Sequence, residues 1–294
     1  MIVSNQSNLK VHFAGVETLP HFLCTNTAGI KYSLFTVFPF ILNKMKNDTK
    51  PTFTNIPNII NNNSNHTIMD SGLFSLMFGA YKGQKDKKFL EKWMHLIIEF
   101  INVTGYKGTY VEVDCQKVLG VDEAWYFREY LKRNVNNRII NVFHKEDGQK
   151  GLDKLIEYSD YIALSIPELR IIGKKDYTYR LANYIKNKKP SIDIHLLGCT
   201  ENKLLSQCNF CSTSDSTSWL SPVRYGVIDA VGEKLRTKNL KNNILINKYE
   251  EKIRIFLNEH NLNITDKALL NYSILIYQAE LLKIKYSQYA GNQD

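Results

Sequence analysis

The sequence predicts an α/β protein, a (β/α)8 TIM-type barrel followed by extra C-terminal helices. The first observation is its length of 294 residues, since a closed α/β barrel runs about 250 residues as one unit. The second is a series of short apolar runs, and the third is the helical spacing of the segments between them. Such alternation is typical of parallel strands joined by helical crossovers. An open doubly wound sheet is the alternative, although no Gly-x-Gly-x-x-Gly turn follows the first run.

The predicted strands are short runs of apolar and β-branched residues. They cover residues 11–16, 32–38, 67–69, 109–113, 138–143, 161–164, 192–197 and 209–214. Helices are predicted between them over residues 87–103, 122–133, 152–158, 179–186 and 201–206. The first of these helices has the clearest pattern, because Trp93, Ile97 and Phe100 share one helical face.

Two further stretches depart from this alternation. Residues 47–65 are rich in Asn, Pro and Thr, which predicts a long loop that is a functional lid or a disordered insertion. Residues 221–245 are basic, and two amphipathic helices follow over 248–259 and 266–286. We expect these helices to close the barrel from outside rather than to bind a partner. The chain is therefore predicted to be a single domain over 1–294, with the barrel at about 11–225 and the basic segment and C-terminal helices at 226–294.

The composition favours an intracellular protein with a polyanionic partner. The net charge of +9 favours contact with phosphates, because Lys and Arg release the counterions of a nucleic acid. Solubility or an AT-rich genome is the plainer explanation. No run approaches the roughly 18 apolar residues of a membrane span, and the first ten residues are polar. The five cysteines are irregularly spaced, so we expect no disulfide framework and a cytoplasmic location.

Polar residues recur where the predicted strands end. In a parallel barrel these ends meet at one mouth, where chemistry takes place. The residues at or just after the ends are Asp70, Asp114, His144, Ser165, Glu168, Gly198 and Asp215. Two carboxylates that face one ligand suit glycosyl chemistry, in which one attacks the anomeric carbon and the other moves a proton. A third can accept hydrogen bonds from a guanine-like base, although sugar hydrolysis would use the carboxylates equally well.

Asp70 follows the most informative of these strands. Ser71 and Gly72 come next and are small enough for the backbone to turn sharply beside the carboxylate. The alternative is that Asp70 only caps the following helix.

Several motifs carry a resemblance to the tRNA-guanine transglycosylases. Residues 68–75, Ile-Met-Asp-Ser-Gly-Leu-Phe-Ser, resemble the family's Asp-Ser-Gly-Gly-Phe-Gln motif. Residues 195–198, His-Leu-Leu-Gly, look like its His-Leu-Leu/Met-Gly strand, and 163–168 resemble its Gly-Leu-Ala-Val-Gly-Glu segment. Residues 215–219 fall where the family has its nucleophile motif, and 111–114 match the strand whose aspartate reads the guanine edge. The order and spacing of these motifs over residues 11–225 are specific as a set.

The resemblance implies a glycosyltransferase that exchanges guanine for a 7-deazaguanine. Asp215 would attack C1′ to form a covalent aspartyl–nucleotide intermediate, and Asp70 would be the general acid and base. Asp114 would bind the base edge. The other expected substrate-binding residues are Ser71, Gly72, His144, Ala163, Leu164, Ser165, Glu168 and Gly198. The target nucleotide would have to leave its stack.

The sequence departs from the tRNA enzymes of this family in its cysteines. Those enzymes have a Cys-x-Cys-x-x-Cys and His zinc site after the nucleophile, whereas Cys208 and Cys211 precede Asp215 here. Cys199 offers a third ligand, but a structural zinc needs about four, so we expect no zinc and no other cofactor. A compact zinc-less chain resembles the DNA-modifying branch found in phages and bacterial genomic islands. We therefore expect DNA as substrate and 7-cyano-7-deazaguanine or a relative as incoming base, in the host cytoplasm if a phage encodes the chain.

Other readings stay open. The same exchange on tRNA is one alternative, and a catalytically silent nucleic-acid-binding barrel or partner subunit is another. A nucleoside or sugar hydrolase is a third. Arg224, Lys234 and Arg236 are predicted to contact phosphates, whereas His195, inside a strand, is predicted to be a core or supporting residue. The motifs do not determine the oligomeric state.

Overall fold

Eight parallel strands close into a barrel in chain order, which confirms the predicted fold class. The computed structural model describes residues 7–47, 56–78, 85–171, 176–199, 201–230, 233–236, 245–259, 263 and 265–290. The barrel strands are β1 (Lys10–Ala14), β2 (Tyr32–Thr36), β3 (His66–Asp70), β4 (Thr109–Val111), β5 (Ile139–Phe143), β6 (Tyr161–Ser165), β7 (Asp193–Leu197) and β8 (Thr213–Ser216). β1 pairs with both β2 and β8, so the sheet has no free edge.

The eighth strand lies later in the chain than the sequence predicts. Residues 209–212 form turns, and β8 begins at Thr213, so Asp215 lies within the strand rather than after it. The reason is the turn that follows the preceding helix, in which the Cys211 N–H donates to the Cys208 carbonyl at 2.9 Å. The third strand also extends through Asp70, its last residue.

Helices surround the barrel and connect its strands. They are α1 (Leu19–Thr27), α2 (Phe38–Asn47), α3 (Ile56–Asn63), α4 (Leu73–Phe78), α5 (Lys87–Thr104), α6 (Gln116–Leu119), α7 (Val121–Asn134), α8 (Gly148–Tyr158), α9 (Ile166–Arg170), α10 (Tyr177–Lys188), α11 (Asn202–Gln207) and α12 (Ser221–Tyr225). The described helices contain no segment with the length and apolar run that crossing a bilayer requires.

Helix α5 shows how the sequence builds these crossovers. The Asp86 side chain caps its first turn by accepting from the Phe89 N–H at 2.9 Å, which satisfies a free amide. Gly105 ends it in the left-handed conformation, with a φ of 62°, as is common at helix ends. The side chains of Trp93 and Phe100 are fully buried, and each such burial contributes about 1.5–3 kcal/mol to folding.

The predicted loop at 47–65 is wrong over its second half, because residues 56–63 form helix α3. Ile60 is fully buried and Pro57 lies in the first turn, so a narrow apolar stripe suffices among the asparagines. Residues 48–55 of the predicted loop lie outside the described residues.

The C-terminal segment packs on the barrel. A two-stranded antiparallel sheet, β9 (Val227–Ala230) and β10 (Glu233–Arg236), precedes α13 (Leu245–Glu259) and α14 (Asp266–Ser287). Helix α14 lies against α1 and α13. The Tyr286 hydroxyl of α14 lies 3.4 Å from the Ser216 hydroxyl, beside Asp215. The last helix therefore supports the end of β8.

Candidate active site

Asp70 and Asp215 lie at the same mouth of the barrel. Asp70 ends β3, and Asp215 lies one residue before the end of β8. Ile68, two residues before Asp70, lines the barrel interior, so the alternation of a strand also directs Asp70 inward. Because all the strands are parallel, their carboxyl ends form one rim. Strands β1 and β2 lie between the two aspartates.

The turn after β3 holds the Asp70 carboxylate. The Gly72 N–H donates to Asp70 Oδ2 at 3.0 Å. Gly72 has a φ of 74°, and a Cβ there would lie 2.7 Å from Phe38 Cβ, so this turn requires glycine. Ser71 is 2% exposed, and its carbonyl accepts from Trp93 Nε1 at 2.9 Å. Ser71 and Gly72, predicted to bind substrate, thus fix the orientation of Asp70.

The environment of Asp70 favours its protonated form. Burial raises the pKa of Asp70 to about 6, with further contributions from the negative charges of Asp215 and Glu17. Hydrogen bonds from Gly72 and Thr36 act in the opposite direction. A carboxyl with this pKa exchanges protons near neutral pH, as a general acid and base must.

Asp215 is fixed through one of its two oxygens. The Gly198 N–H donates to Asp215 Oδ1 at 2.7 Å. His195 Nε2 lies 3.3 Å from the same oxygen, outside hydrogen-bond geometry. Asp215 is 9% exposed. No hydrogen bond from the described residues reaches Oδ2. This second oxygen is therefore the one available to a ligand.

The other half of the mouth carries a chain of alternating charges. His144, directly after β5, contacts Asp114 Oδ1 through Nε2 at 2.5 Å. His144 Nδ1 lies 3.3 Å from Glu168 Oε2, outside hydrogen-bond geometry. Lys117 Nζ lies 2.8 Å from the same oxygen. Carboxylates and cations therefore alternate along the ends of β4, β5 and β6.

These pairs fix the charges of their members. Burial lowers the pKa of His144, but Asp114 and Glu168 outweigh it and raise the pKa to about 10. Burial raises the pKa of Glu168, but His144 and Lys117 outweigh it and lower the pKa to about 2. At neutral pH His144 is an imidazolium with an N–H on both ring nitrogens.

The same cluster contains side chains of the types that bind metal ions. The ligand atoms of His144, Glu146 and Glu168 lie within 4.8 Å of one another. An imidazolium offers no lone pair, however, and Lys117 already neutralises Glu168. The thiols of Cys199, Cys208 and Cys211 are buried and free. Burial raises the pKa of Cys199 to about 12, so this thiol is neutral and a poor ligand. The absence of a cofactor stays a prediction.

The side chains predicted in β6 to bind substrate point in different directions. Ala163 is fully buried and lines the barrel interior below the mouth. Leu164 is also fully buried but belongs to the core between barrel and helices, so its side chain points away from the mouth. Ser165 ends the strand and is partly exposed. Only Ser165 of these three presents a side chain to the mouth.

The predicted phosphate contacts lie after β8. Arg224 is exposed in the last turn of α12, beside Tyr225, which is 75% exposed. Lys234 and Arg236 lie in β10, but their side chains lie outside the described part of the structure, and their contact stays a prediction.

Sequence reasoning missed Glu17. This residue follows β1, the strand between β8 and β2, and its negative charge contributes to raising the pKa of Asp70. Its Oε2 is buried and has no hydrogen-bond partner among the described residues. The rule that predicted Asp70, reading each strand to its end, would have found Glu17 after the predicted strand 11–16.

A cavity also lies outside the barrel. It has a volume of about 660 Å³ between α7 and α8 and contains no residue of the mouth. Lys154 Nζ lies 3.8 Å from the ring centroid of Trp125, and Lys132 Nζ lies 4.3 Å from that of Tyr158. Cations already occupy these rings, so the cavity does not compete with the mouth as the candidate site.

The chain matches no known family description, and no curated protein matches it either.

Proposed function

We propose that this protein exchanges guanine in DNA for a 7-deazaguanine through a covalent bond to Asp215. The observation that carries the proposal is the pairing of two aspartates in unlike environments at one mouth. Asp215 is held through one oxygen, and the pKa of Asp70 is raised to about 6, chiefly by burial. A fixed carboxylate at the same mouth as a carboxyl that titrates near neutrality suits a nucleophile and its proton donor.

The reaction balances with these two groups. Asp215 Oδ2 forms a bond to C1′ while the C1′–N9 bond breaks, and the electron pair of that bond leaves with guanine. The proton of Asp70 passes to the departing base. An incoming 7-deazaguanine then loses its N9 proton to Asp70, and its N9 attacks C1′ and releases Asp215. Neither carboxylate is consumed.

The alternating charges of Asp114, His144 and Glu168 suit the edge of a guanine-like base. Such an edge offers an O6 acceptor and an N2 donor. The His144 imidazolium donates hydrogen bonds, and the Asp114 carboxylate, 30% exposed, accepts them. Their mutual contact would open to admit the base. The resemblance to transglycosylases assigns base recognition to these same two positions.

The rim supports a nucleic acid as the carrier of that base. Arg224 and the exposed Tyr225 are neighbours in the chain, in the last turn of α12 just after β8. A cation beside an exposed aromatic ring is typical of surfaces that bind unstacked nucleotides. The net charge of +9 acts in the same direction. A base in a duplex would have to flip out to reach Asp215.

To test the proposal, the protein is incubated with labelled guanine or 7-cyano-7-deazaguanine and with double-stranded DNA, single-stranded DNA or tRNA. Nucleosides from each substrate are then analysed by mass spectrometry. We expect incorporation into DNA, and an adduct of protein and DNA after rapid denaturation. Asp215→Asn should abolish both, while Asp122→Asn, a change on the exposed face of α7, should leave them unchanged.

The other outcomes separate the alternatives. Incorporation into tRNA alone would keep the chemistry and change the substrate. Release of guanine without incorporation would indicate a hydrolase. Binding to DNA with no release from any substrate would overturn the proposal and leave a silent nucleic-acid-binding barrel.

A further inference from the structure

The interior of the barrel below Asp215 is polar. Barrel interiors are usually filled by branched aliphatic side chains, but His12 and His195 are fully buried here. His12 Nε2 lies 2.8 Å from His66 Nδ1, and His66 Nε2 lies 2.9 Å from the Thr109 hydroxyl. Buried polar side chains cost folding free energy unless they are satisfied, so this layer calls for an explanation.

A separate chain of contacts leads through His195 to Asp215. The hydroxyl groups of Tyr161 and Thr213 are in hydrogen-bond contact. The Thr213 hydroxyl lies 2.7 Å from His195 Nδ1, and His195 Nε2 lies 3.3 Å from Asp215 Oδ1. The chain therefore runs from β6 through β8 and β7 and ends on the candidate nucleophile.

The direction of the protons along this chain follows from electrostatics. A lone pair on His195 Nε2 would face the Asp215 carboxylate and be repelled, so Nε2 carries the proton. In a ring that carries this single proton, Nδ1 is an acceptor and receives the Thr213 O–H. The Thr213 oxygen in turn accepts from the Tyr161 O–H. One arrangement thus satisfies the hydrogen bonds of Tyr161, Thr213 and Nδ1. It places the Nε2–H of His195, which has no hydrogen-bond partner among the described residues, 3.3 Å from Asp215 Oδ1.

We propose that His195 is a positioning residue for Asp215, with its tautomer selected by the Asp215 carboxylate and stabilised by the hydrogen bonds of Thr213 and Tyr161. The Gly198 N–H holds Oδ1 of Asp215 by a hydrogen bond, and the Nε2–H of His195, 3.3 Å away, attracts the same oxygen. This leaves Oδ2 directed into the mouth. The role in catalysis rests on the proposed function, whereas the tautomer and its cause do not.

His12 and His66 do not position Asp215. Burial and the neighbouring histidines lower the pKa of His12 well below its usual value, and burial lowers that of His66 to about 4. Both rings are neutral at pH 7. Their hydrogen bonds run to each other and to Thr109. They fill the layer, and His195 is the histidine that contacts Asp215.

The first experiment reads the tautomer without any substrate. Long-range proton–nitrogen NMR correlations of protein labelled in its seven histidines distinguish Nδ1 from Nε2 protonation, and His195→Gln assigns the signal. We expect the Nε2–H form in the wild type and a mixture of tautomers in Thr213→Val. Tyr161→Phe should give a smaller change. An Nδ1–H form in the wild type would overturn the inference.

The second experiment uses two isosteric replacements. The amide nitrogen of Gln reaches the place of Nε2, whereas that of Asn reaches the place of Nδ1. His195→Gln should therefore keep the rate of adduct formation within about tenfold of the wild type. His195→Asn should be slower than His195→Gln by roughly 10- to 100-fold, the effect of one hydrogen bond to a charged group. A merely structural histidine would not distinguish the two.

These experiments distinguish failure of the positioning role from failure of the proposed function. Equal rates for His195→Gln and His195→Asn, in variants with the same unfolding temperature, would overturn the positioning role while exchange in the wild type stands. Absence of exchange in the wild type would overturn the function. The NMR result would then decide by itself whether His195 donates to Asp215. Thr213→Val serves as the second variant if either His195 variant fails to fold.

Discussion

The two halves of the mouth use carboxylates in opposite ways. On the side of β8, β1 and β3, Asp70 is destabilised as an anion by its burial and by the charges of Asp215 and Glu17. On the side of β4 to β6, His144 lies between the carboxylates of Asp114 and Glu168. The first half therefore concentrates negative charge and has no ion pair to Lys or Arg among the described residues, whereas the second half neutralises its negative charge.

The difference separates chemistry from recognition. A like-charge arrangement raises the pKa of a carboxyl group into the range where it can transfer protons. An alternating arrangement holds its groups in fixed charge states and fixed positions, which suits hydrogen bonding to a ligand. Removing a charge should therefore change the free energy of unfolding in opposite directions in the two halves.

The largest effect on stability is expected from His144→Leu. Removing the imidazolium leaves two carboxylates without their shared cation, and breaking a buried ion pair costs about 3–5 kcal/mol of unfolding free energy. Because the pKa of His144 is raised to about 10, its contribution is complete below pH 6.5 and is lost as the pH rises through 10. The difference between variant and wild type should shrink over that range in urea unfolding.

A matched control is available for this variant. His95 is exposed on α5, and His95→Leu should change the unfolding free energy by less than about 0.5 kcal/mol. If His144→Leu behaved like His95→Leu at pH 7, the alternating charges would not stabilise the mouth, and the contrast between its halves would be lost.

Asp70→Asn should stabilise the folded protein at neutral pH, whereas His144→Leu should destabilise it. The folded protein raises the pKa of Asp70 to about 6, so the stability that this carboxyl contributes is present below pH 4 and is lost as the pH rises through 6. The variant should therefore be more stable than the wild type by about 1–3 kcal/mol at pH 7.5, and equal to it near pH 3.5. Adduct formation should fall by roughly 10²- to 10⁴-fold.

The outcome of this variant is informative either way. A gain in stability with a loss of activity is the signature of a group kept at a cost to folding. A loss of stability at pH 7.5 would mean that the hydrogen bond from Gly72 outweighs the burial of the charge, and that Asp70 only caps the turn.

The fold was predictable because it rests on local patterns. Strand–helix alternation and the face formed by Trp93 and Phe100 are visible in single windows of sequence, and the structure confirms the barrel. Helix α3 was missed because its apolar stripe is short and surrounded by asparagines. The start of β8 was missed because the apolar residues of the predicted run 209–214, Phe210 and Cys211, lie in the turn, whereas the strand itself is polar.

The site was predictable only as a set of positions. The strand-end rule found Asp70, Asp114 and His144 because a parallel barrel gathers these ends. It could not predict that His144 is charged or that Leu164 points away from the mouth. Charge state and direction depend on neighbours from distant parts of the chain, which no local window contains.

A smaller effect is expected where a nucleic acid would enter. Tyr225 lies on the β8 side and is 75% exposed, whereas Ile171 follows α9 on the β6 side and is 80% exposed. Tyr225→Ala should weaken binding of single-stranded DNA by about 1–2 kcal/mol, the value of one stacked base. Ile171→Ala is the control and should have no such effect in fluorescence anisotropy titrations. Equal losses would indicate that the strand crosses both halves.

The smallest and most discriminating effect concerns Glu17. Its charge contributes less to the raised pKa of Asp70 than that of Asp215 does, so Glu17→Gln should lower the titration midpoint of the Asp70 carboxyl by a few tenths of a pH unit. Asp215→Asn should lower it further, because it removes the stronger source of repulsion. Carbon-13 NMR of labelled aspartate measures both shifts, with the signal assigned by Asp70→Asn. A midpoint that rises in Glu17→Gln, or that moves more in Glu17→Gln than in Asp215→Asn, would contradict the account of this half as a cluster of like charges centred on Asp70.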